Sequence, residues 1–348
     1  MTSISELGEF GLIEHLTRKI RLRHTSSLKG VGDDAAVVNY GGRTMVVTTD
    51  LLIEGIHFNL VYTPLKHLGY KAVVSNLSDI YAMNATPRQL TVSIGISRKF
   101  SLEAVESFYE GINLACDRYE VDLIGGDTSS SVTGFMISIT ALGEARKDQL
   151  VYRDNATKDD LICVSGDLGA AYMGLQLLER EKKIFEEDPG IQPDLGGNEY
   201  ILERQLKPEA RVDIVTWLRE KKIKPTAMID ISDGLSSDLL HICTSSGVGC
   251  RIYQEKIPID QATATLANEF RMNPLVPALS GGEDYELLFT VSLKHHHILS
   301  ENPQIHIIGH ITKPDDGRNL ITNEGNAIEL IAQGWNPLRE EGKGNASN

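Results

Sequence analysis

The sequence predicts an α/β (α+β) protein built as two domains, and three observations predict it. β-rich runs and helical stripes alternate along the chain. Its 348 residues suit about two cores of ordinary size. A charge-dense stretch poor in large apolar residues, "EARKDQLVYRDNATKDD" (144–160), interrupts the alternation. The boundary is placed in that stretch, giving domains over 1–148 and 149–338, followed by a polar tail over 339–348 expected to be disordered.

The elements follow in order. Leu7, Phe10, Ile13 and Leu16 recur at roughly helical spacing and predict an amphipathic opening helix. Residues 35–50 form two β-rich runs around Tyr40-Gly41-Gly42, a hairpin signal. "LKHLGYKAVVSNLSDIYAMNA" (65–85) reads as a mostly apolar helix stopped by Pro87. A strand over 89–97 precedes a helix over 101–120, which opens on Ser101 and carries a stripe of Val105, Phe108, Ile112 and Ala115. "VDLIGG" and "GFMISITALGE" supply further strands. The second half restarts with the strand "LICVSG" and the helix "LGAAYMGLQLLEREKK". Residues 183–198 read as an exposed, Pro/Gly-bearing insertion. A helix after Pro208, the strand "AMIDIS", the helix "GLSSDLLHICTSSG" and the strands "YELLFTVS" and "IHIIGHIT" complete the domain.

Composition narrows the function. The formal net charge of −14 argues against nucleic acid or an anionic membrane as the main partner. No apolar run approaches the ~18 residues of a membrane span, and the N-terminus lacks the basic and apolar regions of a secretory signal. Cys116, Cys163, Cys243 and Cys250 include no CxxC pair, which fits reduced thiols in a cytoplasmic protein.

The informative pattern is where the acids fall. Asp33 and Asp34 ("GVGDDAAVV") stand before a strand, Asp50 ("VVTTD") after one, and Asp127 ("LIGGDTSSS") after another. Asp230 and Asp233 ("MIDISDGLSSDL") occupy a strand-to-helix junction, and Glu283 and Asp284 ("LSGGEDYELLF") the mouth of a strand. Asp79 lies within an otherwise apolar helix. Singly, each is an ordinary turn residue, helix cap or surface acid. Five acid-bearing strand ends together suggest loops that converge where ligands gather in such sheets. Converging carboxylates repel unless a cation sits among them. Mg²⁺ suits an all-oxygen set that bridges to nucleotide phosphates, whereas no Cys/His cluster suits Zn²⁺. P-loop, dinucleotide and HRD/DFG signatures are absent. A nucleotide would therefore be held mainly through metal, with the Gly126 backbone and Ser232 as direct donors.

"GVGDDAAVV", "TTDLLIEGIHF", "GYKAVVSNLSDIYAMNATP", "LIGGDTSSS", "DISDGLSSDL" and "SGGEDYELLF", in that order, closely resemble the bacterial thiamine-monophosphate kinase family. That family lies in the aminoimidazole ribonucleotide synthetase-like superfamily, and the resemblance spans about residues 6–336. It implies that superfamily's two-domain fold and ATP-dependent phosphorylation of thiamine monophosphate. It also implies several Mg²⁺ ions and a homodimer built on the N-terminal domains. By matched motif, Asp34, Thr48, Thr49, Asp50, Asp79, Asp127, Asp230 and Asp233 look like the magnesium set, with Asp50, Asp79, Asp127 and Asp230 at the chemistry. Tyr109, Gly126, Asp127, Arg153 and Ser232 look like ATP contacts. His57, Glu283 and Trp335 look like the thiamine-phosphate side. Two alternatives share the fold: another ATP-dependent synthetase and a non-catalytic Mg-ATP-binding regulator. Selenophosphate synthesis would want an N-terminal cysteine, and none precedes Cys116.

Overall fold

Strand alternation and one all-round apolar helix build the frame around the acids. The structure, a computed structural model, describes residues 25–29, 32–41 and 43–332. The expected opening helix, Trp335 and the tail lie outside those residues. The first half contains β1 (Ser27–Lys29), β2 (Ala36–Tyr40), β3 (Arg43–Ile53), α1 (Leu65–Ala82), β4 (Thr86–Ile96), α2 (Leu102–Tyr119), β5 (Asp122–Ser130) and β6 (Met136–Ala145). Its sheet has the order β1-β2-β3-β6-β4-β5, antiparallel except for the β4–β5 pair. The hairpin expected over 35–50 is the β2–β3 pair.

The second half contains β7 (Leu161–Ser165), α3 (Ala170–Glu187), α4 (Glu199–Leu206), α5 (Val212–Glu220), β8 (Ala227–Ile231), α6 (Leu235–Ser246) and β9 (Gly249–Tyr253). It continues with α7 (Gln261–Glu269), α8 (Leu275–Ser280), β10 (Glu286–Val291), α9 (His296–Leu299), β11 (Ile305–Thr312), β12 (Arg318–Ile321) and β13 (Ala327–Glu329). The sheet order is β13-β12-β9-β11-β7-β10-β8, with only β12–β9 parallel among its described pairs. The class is therefore α+β.

In β4 and β6 every second residue is buried: Leu90, Val92 and Ile94 face Ile137, Ile139 and Ala141 on the covered side. Each such side chain contributes about 1.5–3 kcal/mol when fully buried. The helices α1 and α2 cover that face. They cross at glycine, where a Cβ on Gly69 would stand 2.1 Å from the Phe108 carbonyl oxygen and one on Gly111 1.9 Å from that of Lys66. Helix α1 is apolar on nearly all sides because it is enclosed, touching β3, β4, β6 and α2 and also β8 and α4. Ser101 caps α2 as expected, its Oγ accepting from the Ala104 N–H at 3.3 Å.

Asp50 and Asp127, expected just past strand ends, lie inside β3 and β5, because pairing with β6 and β4 carries both strands beyond them. Two further boundaries differ from expectation. α1 ends at Ala82, and Pro87 belongs to β4; the break is made by Asn84 in the left-handed region (φ 53°). Residues 183–187 continue α3, so the exposed insertion is shorter than its composition suggests.

Candidate active site

Three carboxylates from distant parts of the chain meet between the two sheets. Asp34 comes from the segment entering β2, Asp79 from α1 and Asp230 from β8, and each can offer an oxygen within 4.8 Å of the others. Neighbouring groups hold them there. Thr48 Oγ1 donates to Asp79 Oδ2 at 2.6 Å, and Ser78 Oγ donates to Asp230 Oδ2 at 2.7 Å. Arg153 binds Asp34 Oδ1 at 2.6 Å and approaches Asp33 at 3.6 Å. Lys29 and the Arg153 backbone N–H also bind Asp33, so Asp33 anchors the loop. Asp50 lines the adjoining cleft with Ser75, whose hydroxyl donates to the Ala72 carbonyl oxygen at 3.2 Å.

The electrostatics are those of a cation site. Burial pushes the Asp34 carboxyl up to about 8 against the pull of Arg153, and burial pushes Asp230 up to about 6 against the Ser78 bond. Asp79 is raised well above the ordinary range by burial and then by Asp50, and burial raises Asp50 too. Asp34 Oδ2 is buried with no hydrogen-bond partner. An all-oxygen set, mutually repelling and with an orphaned oxygen, fits a hard divalent cation.

Asp79 and Asp230 line a cleft of ≈ 850 Å³ whose wall also includes Asp50, His57, Lys71, Ser75, Ser232, Asp233 and Glu283. Asp233 donates its backbone N–H to Asp238 Oδ2 at 3.3 Å, and the Ser232 carbonyl accepts from the Glu283 N–H at 2.8 Å. Glu283 and Tyr285 both take left-handed backbone (φ 66° and 51°) on either side of Asp284, a costly conformation for such residues. Asp284 accepts from the N–H groups of Gly169 and Ala171, fixing the start of α3. The Ile53 N–H donates to His57 Nδ1 at 3.0 Å, so the proton of the neutral ring sits on Nε2. Burial lowers the His57 pKa and favours that neutral form.

Other expected residues stand apart. The Thr49 hydroxyl donates to the Ile139 carbonyl oxygen at 3.0 Å, although Thr49 also borders the cleft. Asp127 and Gly126 lie on β5, an exposed edge strand. The row Asp50–Ile139–Val92–Gly126 places them three strand spacings from Asp50, about 14 Å. Asp127 falls in the neighbouring row with Leu51 and Ser93, on the opposite face of the sheet. Gly126 also has a packing reason, since a Cβ there would stand 1.8 Å from the Val92 carbonyl oxygen. Tyr109 packs edge-on against Phe108 on α2. The sequence reasoning missed Ser75, Ser78 and Lys71. The spacing 71, 75, 79 along one helix was the available signal, because residues four apart share a face.

Carboxylates drawn together from both halves of an α+β chain, beside one cleft, define an enzyme of the AIR synthase-related fold. The family described as AIR synthase related protein, N-terminal domain, matches residues 32–145. A thiamine-monophosphate kinase of Aquifex aeolicus is 37% identical over 287 residues, covering 82% of this chain and 87% of that protein. One of Bacillus subtilis is 31% identical over 339 residues, covering 96% and 100%. The solved structure of AaThiL complexed with AMPPCP and TMP superposes with a TM-score of 0.82 at 32% identity, covering 97% of this chain and 99% of that one. The chain belongs to the thiamine-monophosphate kinase family.

Proposed function

We propose that this protein transfers the terminal phosphoryl group of ATP directly to the phosphate of thiamine monophosphate, forming thiamine diphosphate. The observation that carries the proposal is the Asp34–Asp79–Asp230 cluster, with its orphaned Asp34 oxygen, beside the cleft that Asp79 and Asp230 line. Membership of the family supports the acceptor, and the AMPPCP and TMP of the AaThiL complex support a shared site for nucleotide and acceptor. Several Mg²⁺ ions held by Asp34, Asp50, Asp79, Asp230 and Asp233 would neutralise phosphate oxygens and allow two anions to approach. Thr48 and Ser78 orient two of those carboxylates. Arg153, which binds Asp34, and Ser232, which lines the cleft, would meet the nucleotide.

The chemistry needs no general base. A phosphate monoester has a second pKa of about 6, so near neutrality its attacking oxygen is largely unprotonated. His57 fits that scheme. Its Nδ1 lone pair is engaged by Ile53, and its Nε2–H is a donor suited to holding the acceptor.

A homodimer completes the proposal. The face of the first sheet opposite α1 and α2 bears Leu51 at 53% exposure, in the row that also carries Ser93 and Asp127, and Met136 at 36% in the row of Gly95 and Ser129. A second copy covering that face would bury this surface and give Asp127 a neighbour. The experiment is a coupled assay of ADP release with thiamine monophosphate, thiamine and no acceptor. Release that requires thiamine monophosphate and Mg²⁺ supports the function; equal release with thiamine contradicts it.

A further inference from the structure

The cleft contains a part-buried ion pair that the function above leaves without a role. Lys71 leaves α1 with its side chain 8% exposed, and its Nζ donates to Glu283 Oε2 at 3.0 Å and to the Gln205 carbonyl oxygen at 2.9 Å. Among the described residues lining the cleft it is the only lysine or arginine. It shares a helix face with Ser75 and Asp79, one turn and two turns further on, so its Cα lies about 12 Å from that of Asp79. The metal-site acids thus mark one end of this stripe, and the Lys71–Glu283 pair marks the other.

Both partners keep bonding capacity. An ammonium has three donors, and two of Lys71's are engaged. Both bonds to Glu283, from Lys71 and from Gln205 Nε2 at 3.1 Å, fall on Oε2. Its Oε1 has no hydrogen-bond partner among the described residues. Withdrawing the Lys71 ammonium from water is expensive unless it meets an opposite charge, and Glu283, its side chain 30% exposed, supplies one.

We propose that Lys71 and Glu283 are a charge-exchange pair that selects an acceptor carrying a cation and a phosphate together. The acceptor's phosphate takes the Lys71 ammonium, and its cationic ring takes the Glu283 carboxylate. The inference rests on thiamine monophosphate as the acceptor, whose thiazolium and phosphate supply those two charges. Thiamine itself supplies only the cation. It competes with Lys71 for Glu283 and leaves the ammonium unpaired, so the pair discriminates by an unmet charge.

Calorimetric titration of wild type, Lys71→Met and Lys71→Arg with thiamine monophosphate and with thiamine, in Mg²⁺ and without ATP, tests this. Wild type binds the phosphorylated compound more tightly. Lys71→Met loses about 10–100-fold of that affinity, the equivalent of one charged hydrogen bond, and binds thiamine more tightly than wild type does, because Glu283 no longer has a competing cation. Lys71→Arg recovers part of the preference. Should Lys71→Met fail to fold by circular dichroism, Lys71→Gln, which removes the charge but keeps a polar group, is read in its place. A folded variant that keeps the wild-type preference overturns the pair. The separate reading is wild-type ADP release. Turnover with thiamine monophosphate alongside an unchanged preference in the variant removes only the role of Lys71, whereas no turnover removes the acceptor itself and the inference with it.

Discussion

Ser78 Oγ donates to Asp230 Oδ2 at 2.7 Å, joining α1 of the first half to β8 of the second at the acid cluster. One turn of α1 carries Ser75, Ser78 and Asp79, so the metal-facing carboxylates of both halves are set by the position of a single enclosed helix. Ser78→Ala leaves Asp230 without its donor. The expected outcome is a 10–100-fold loss in apparent Mg²⁺ affinity, the usual cost of losing a group that orients a ligand. Mg²⁺ titration of initial rates checks it, and an unchanged half-saturation would contradict it.

Asp50→Asn should lower turnover by at least about 10³-fold, because a hard cation loses an anionic ligand where charge develops. Asp50 adds to the repulsion on Asp79 in the metal-free protein. Removing that charge should therefore leave the melting temperature in EDTA unchanged or higher. ADP release beside a thermal melt by circular dichroism separates catalysis from folding, and an unfolded variant would sink the assignment.

The same cluster sets a pH dependence. Asp34 and Asp230 titrate at about 8 and about 6 in the folded protein because burial opposes their charge, against about 3.9 in an unfolded chain. Between those limits the folded state binds more protons than the unfolded state, so stability falls as pH rises. In EDTA the melting temperature should drop from pH 5.5 to pH 8.5. Mg²⁺ competes with those protons, so its stabilising effect should be larger at pH 8.5. Scanning calorimetry at both pH values, with and without excess Mg²⁺, measures it; a larger Mg²⁺ effect at pH 5.5 would contradict the site.

His57→Asn should raise KM for thiamine monophosphate while kcat falls much less than the ~10²–10⁴-fold expected of a lost acid–base group. The motive is the engaged Nδ1 and the Nε2–H donor. Steady-state kinetics across pH 6–9 decide it. A collapsed kcat with unchanged KM, and loss of a pKa seen in the wild-type kcat profile, would make His57 the base.

Asp127 and Asp50 lie on opposite faces of one sheet, three strands apart. If a second copy brings them together, Asp50→Asn and Asp127→Asn, each inactive alone, should regain up to about a quarter of wild-type turnover when unfolded, mixed and refolded. That figure assumes random pairing of copies in a C₂ dimer. An inactive mixture of well-folded dimers would place both residues in one chain's own site.

Much of the frame was legible from local pattern. Alternation in β4 and β6 reports a sheet covered on one side, and the all-round apolar run of α1 reports a helix enclosed on nearly every side. Asp79 stood out in that helix because an acid among Val73, Val74, Leu77 and Ile80 costs too much without a purpose. Acids beside glycine and hydroxyl residues near the ends of strands likewise pointed to Asp34 and Asp230, although Asp50 and Asp127 lie inside β3 and β5. Tertiary structure alone decided which of those acids meet. Asp34, Asp79 and Asp230 are far apart in the chain, and their convergence depends on how two sheets flank one helix. It also separated Asp127 from them, because side chains on adjacent positions of a strand face opposite ways and a β5 edge lies far from β3. The Lys71–Glu283 pair was invisible in sequence for the same reason: an ion pair spanning 212 positions leaves no local periodicity, only a distance.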